Sequence, residues 1–122
     1  MPSREEPTRC HCLHYDNHYI YILSGYVARK EDNDKLRYIV NKNYKLDVST
    51  FEMINLPKLT HNRHSIATVK VGAYLYAFGG VDAKGKASRE IERLNITNSN
   101  HGEAWKKLEY KLQMDCTGWT EN

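Results

Sequence analysis

Tyr21-Ile22-Leu23-Ser24-Gly25 returns, loosely copied, as Tyr76-Ala77-Phe78-Gly79-Gly80, an offset of 76 − 21 = 55 residues. A unit that appears twice constrains the fold more than any other feature. Each copy must be one supersecondary structure able to stack on the next. The same shift lays the turn Asp16-Asn17 on Val71-Gly72 and residues 10–13 on 65–68. The second copy is the clearer one. Its β-branched run 65–69, the Gly-containing turn at Val71-Gly72 and the aromatic–aliphatic run 73–78 predict a hairpin. Gly79-Gly80 then ends the second strand, because glycine takes positive φ without a steric cost.

Each copy continues with a polar loop, a third strand and a short fourth strand. The first unit predicts strands at 10–15, 19–24, 38–48 (with an irregular start) and 51–56; the second predicts them at 65–70, 73–78, 89–96 and 104–109. Phe51 and Trp105 pair at 105 − 51 = 54, close to the repeat offset. The loops 27–35 and 81–88 are charged, and the joints 47–50 and 97–103 are rich in Asn, Asp, Ser and Thr, residues that bond their own backbone in turns. No stretch holds a helical period over a useful length. The chain is therefore expected to be all-β, with a tail at 1–7, units at 8–60 and 61–112, and a tail or the start of a third unit at 113–122.

Four antiparallel strands in about fifty residues resemble one blade of a β-propeller. Arg63-His64-Ser65, then Tyr76-Ala77-Phe78-Gly79-Gly80, then Trp105, resemble the Kelch repeat in residues and spacing. In the first unit Ser24-Gly25 stands for the double glycine and Phe51 for the tryptophan, a degenerate copy. Leu56-Pro57 ahead of Arg63 resembles the blade-to-blade linker. The resemblance implies two four-stranded antiparallel Kelch-like blades of an incomplete propeller. It makes Ser24, Gly25, Phe51, Arg63, His64, Tyr76, Gly79, Gly80 and Trp105 structural motif residues. Two such blades cannot close a ring, so each end is expected to expose a face meant for a neighbour, in a longer chain or in assembly with other blades or chains.

Composition narrows the function classes. Lys and Arg outnumber Asp and Glu by 18 − 15 = 3, too small an excess to indicate nucleic acid. No apolar run approaches bilayer length, and the charged N-terminus lacks a signal-peptide core, so the three cysteines are expected to be reduced thiols in a cytoplasmic setting. Cys10, Cys12 and His14 alternate onto one strand face, with ligand chemistry that suits zinc or copper. A C-x-C without a second pair is a poor zinc pattern, and cysteine is commonly a small buried residue, so no metal or other cofactor is expected. His61, Arg63, His64 and Asp82 could suggest acid–base work. The Kelch linker accounts for Arg63 and His64 more simply. No nucleophile–base set or phosphate loop stands out, and an enzyme is not expected.

Strand direction alone puts the loops between second and third strands on the same face as the linker. Arg29 and Lys30 in the first loop, His61 and Arg63 in the linker, and Lys84, Lys86 and Arg89 in the second loop are the candidate contacts for a protein partner, in particular an acidic peptide segment. The competing account is a loop charged only for solubility. Binding a protein partner is also what the Kelch resemblance implies. The alternatives are a fragment of a propeller enzyme, galactose-oxidase-like or sialic-acid-mutarotase-like, and a truncated product with no independent role.

Overall fold

β-Branched and aromatic runs become strands where the repeat places them. The computed structural model describes residues 12–28, 37–97 and 104–114, and among these there is no helix. In chain order the strands are β1 (Cys12–Tyr15), β2 (Tyr19–Leu23), β3 (Gly25–Ala28), β4 (Arg37–Val40), β5 (Asn43–Asp47), β6 (Met53–Leu56), β7 (Ala67–Val71), β8 (Tyr74–Phe78), β9 (Ile91–Asn95) and β10 (Lys106–Lys107). They form two four-stranded antiparallel sheets, β1-β2-β5-β6 and β7-β8-β9-β10, and a separate two-stranded ribbon, β3-β4. No helix among the described residues is long and apolar enough to cross a membrane.

The repeat is written into the hydrogen-bond register. Cys12 lies opposite Leu23 and Ala67 opposite Phe78, so both strands of the two hairpins are offset by 67 − 12 = 78 − 23 = 55 residues. The turns differ in chemistry. In the first, the Asp16 carboxylate accepts the amides of His18 and Tyr19 at 2.9 and 2.8 Å. In the second, Gly72 supplies a positive φ of 58°, and the turn centres on Gly72 and Ala73, one residue beyond the predicted Val71-Gly72. The third-to-fourth joints repeat as well. Asp47 Oδ1 accepts the Ser49 amide and hydroxyl, and Asn95 Oδ1 accepts those of Thr97.

Further expectations change, and the strand expected over 104–109 shortens to Lys106–Lys107. The strand predicted over 38–48 is two strands, broken at Asn41 and Lys42. Gly25 does not end a strand but starts one. The chain kinks at Ser24, φ 35°, and Gly25–Ala28 then pairs with Arg37–Val40 as the ribbon. In that pairing Tyr26 lies opposite Ile39 and Val27 opposite Tyr38. Phe51 is not the counterpart of Trp105. Phe51 is exposed at a tight turn with φ 62°, whereas Trp105 is 2% exposed. Met53 sits opposite Leu46 in the first sheet, and Lys106 opposite Arg93 in the second, which makes Met53 the residue in the tryptophan's place.

The sheets pack face to face. Tyr21, Leu23 and Leu56 from the first meet Leu75, Ala77, Leu94 and Trp105 from the second, with Leu59 and Ile66 of the linker completing the core. The Pro57 carbonyl accepts both Trp105 Nε1–H at 3.0 Å and the Asn43 side-chain amide at 2.9 Å, tying the linker to each sheet. Trp105→Ala is expected to cost about 3–5 kcal/mol in a denaturant titration, since it empties a large site and leaves that carbonyl short of a donor.

Candidate functional site

The described candidates His61, Arg63, Lys84, Lys86 and Arg89 gather at one end of the second sheet, where β8 runs out and the linker arrives. Here His64 pairs as a β-bridge with Val81, exchanging amide and carbonyl at 3.0 and 2.9 Å, and Val81 also bridges to Ala87. The linker thus acts as a short extra strand against the root of the loop between β8 and β9. Gly80 permits the approach. A Cβ there would stand 2.6 Å from the His64 carbonyl oxygen and 2.7 Å from Ile66 Cγ2.

Arg63 fastens this root from inside. Its guanidinium donates to the carbonyls of Gly79 at 2.6 Å and Glu90 at 3.0 Å, the two ends of the loop, and to Glu92 Oε2 at 3.0 Å. Both side chains of the Arg63–Glu92 ion pair are fully buried. Burial pulls the guanidinium pKa down, and the Glu92 carboxylate opposes this. The other Glu92 oxygen accepts the Thr60 amide, so one carboxylate holds the linker at two points. Arg63, expected among the partner contacts, is therefore inaccessible to a partner. Its planar fork lets one side chain hold both ends of the loop and the Glu92 carboxylate at once.

Above the root, the loop tip is a rigid turn. Asp82 Oδ1 accepts the amides of Lys84 and Lys86, both at 2.9 Å, while the Asp82 amide donates to the Lys86 carbonyl. The Lys86 amide bond is the main cause that holds the Asp82 carboxyl below its usual value, with Lys84 adding to it. Gly85, φ 85°, completes the turn. Lys84 and Lys86 project from it into solvent, with His61 exposed on the adjoining linker and Arg89 exposed at the far end of the loop. Asp82 Oδ1 is thus committed to its own backbone, and Arg63 to the loop carbonyls and Glu92.

The ribbon borders the same end. The Tyr26 ring lies 4.5 Å from that of His64, Ser24 Oγ donates to the Arg63 carbonyl, and Asn41 donates to Leu59 O and Asn62 Oδ1. Arg29, Lys30 and Cys10 lie outside the described residues. Among the described residues no three His, Cys, Asp or Glu side chains gather as a metal site. Glu92, Asn41 and Asn43 were missed from the sequence. A charged or amide residue inside an apolar alternation is the signal that could have found Glu92 and Asn43. At the opposite end, a cleft of about 430 Å³ lies between the sheets, lined by Asp16, Tyr19, Tyr21 and Lys70 among others. Its two charges pair with each other at 3.6 Å.

Against known proteins, the chain matches no family model and no curated relative.

Proposed function

We propose that this chain is a protein–protein interaction module of Kelch-repeat type, two blades of a β-propeller that take an acidic peptide segment on the loop-bearing end. Support for the blade reading comes from two successive four-stranded antiparallel sheets joined by a linker, with Arg63, His64, Gly79, Gly80 and Trp105 each in a packing role. The observation that carries the binding role is the Asp82 turn. It carries the exposed Lys84 and Lys86 on a backbone fixed by four hydrogen bonds of its own. A turn whose backbone is ordered before binding loses less entropy on meeting carboxylates than a mobile loop does. His61 and Arg89 extend the basic rim. A cytoplasmic location belongs to the same proposal.

The test is an array of acidic peptides probed with the wild-type chain and with Lys84→Glu/Lys86→Glu. Wild type should bind a subset with salt-sensitive affinity, and the double variant should lose at least tenfold while melting like wild type. Equal binding by both proteins removes the rim from the function.

A further inference from the structure

The repeat register says more about the outer faces than about the inner ones. Along a strand, side chains alternate between faces. The two sheets share one strand register, so equivalent residues take equivalent faces and the faces can be compared directly. Tyr19 and Tyr21 point from the first sheet into the second. Their rings stand 6.2 Å apart at 56°, and Lys45 Nζ lies 4.3 Å over the Tyr19 ring. Their equivalents in the second sheet are Tyr74 and Tyr76, 6.3 Å apart at 55°, with the Arg93 guanidinium 4.2 Å over Tyr74. That second constellation is the same docking face, but it points away from the first sheet.

The receiving face repeats in the same way. Leu75, Ala77, Leu94 and Trp105 accept the first sheet. Their equivalents by register are Ile20, Ile22, Leu46 and Met53, on the outer face of the first sheet, where Met53 is exposed. The molecule therefore carries a spare docking face at one end and a spare receiving face at the other. One polar contact of the internal interface is the Asp16–Lys70 ion pair. Shifted by 55, Asp16 becomes Val71 and Lys70 becomes Tyr15, exposed by 59% and 62%. An ion pair is replaced by two uncharged side chains, so the shifted contact leaves no charge without its partner.

We propose that copies of this chain associate head to tail, the outer face of the second sheet of one copy docking on the outer face of the first sheet of the next, with Val71 against Tyr15. The interface is heterologous and generates a closed ring or a continuing stack, according to whether its rotation closes. It is separate from the loop rim, and Val71 and Tyr15 take no part in the proposed peptide binding.

Sedimentation velocity of the 122-residue chain over a concentration series provides the test. Wild type should reach at least twice the monomer's 14.2 kDa. Tyr15→Asp alone and Val71→Asp alone should each remain monomeric. Their equimolar mixture should form a 1:1 dimer and nothing larger, because one healthy interface survives between the two variants and the other pairs two aspartates. Circular dichroism melts confirm folding, and if either variant melts early, Met53→Asp and Val69→Asp replace the pair on the same two faces. A monomeric wild type overturns the proposal, as do single variants that still associate and a mixture that does not pair. Association abolished by Tyr15→Asp but untouched by Val71→Asp indicates a face-to-face dimer of first sheets and overturns it too.

Discussion

At Gly79-Gly80 the second sheet leaves β8 through two glycines with φ of 64° and 93°, whereas at the equivalent Ser24-Gly25 the first sheet leaves β2 through a serine at 35°. The consequences diverge. Behind Gly79 the chain makes a short loop whose two ends are gripped by the buried Arg63, itself balanced by Glu92. Behind Ser24 it runs out as the β3-β4 ribbon. The return is held by neutral groups: Asn43 Oδ1 accepts the Ser24 amide, and Asn41 accepts the Leu59 amide. In the register, Tyr44 stands where Glu92 stands. The strand framework of a repeat thus persists while the fastening of its exit changes from an ion pair to amides. The ionic version is rigid and short, and the amide version admits an inserted ribbon.

Removing the ion from one exit should be far more damaging than altering the matching position of the other. Glu92→Ala leaves the Arg63 cation fully buried without its counter-charge and frees the Thr60 amide. A loss of about 3–5 kcal/mol is expected in urea denaturation. Tyr44→Phe, at the equivalent place, should stay within about 0.5 kcal/mol of wild type. Similar losses for the two would mean that Arg63 is held by its carbonyls alone, and the comparison would fail.

Asn43→Ala probes the neutral fastening. Its side chain accepts from Ser24 and donates to Pro57 O, and all of it is buried. The Ser24 amide is left without an acceptor, and the expected cost is about 1–3 kcal/mol, below that of Glu92→Ala. A cost above that of Glu92→Ala would reverse the ranking of the two fastenings.

These residues also mark where the sequence is legible and where it is not. Local pattern suffices for the hairpins, since alternation, turn residues and the 55-residue copy all act over a few residues or recur in register. Tyr26 and Tyr38 belong to strands whose pairing no short turn motif announces, and Gly25 carries the same letter as a strand terminator. Nothing local distinguishes the ribbon from a coil. Phe51 was matched to Trp105 by ring and spacing. The tight turn of Asp47 through Thr50 is shorter than the joint before Trp105, so strand register transfers the position to Met53. The basic rim was legible in Lys84 and Lys86, because their loop had to emerge beside the linker. Arg63 was not, because its charge reads as surface until Glu92 is found facing it from another strand.

Acid should sharpen the contrast with the smallest effect. The Asp82 carboxyl at the second exit is held below its usual value by the Lys86 and Lys84 amides. A carboxyl whose folded pKa is depressed contributes its stabilisation in full above the unfolded value and loses it as pH falls through the folded one. Around Ser24 at the first exit, the groups that hold the backbone are the amides of Asn43 and Asn41, which do not titrate. The amide proton resonances of Lys84 and Lys86 should therefore shift together below the ordinary carboxylate range, with one midpoint, while that of Ser24 stays flat. Asp82→Asn should abolish the shift. A Ser24 resonance that moves in step with the two lysines would indicate that the sheets open together, and that the two exits are not fastened independently.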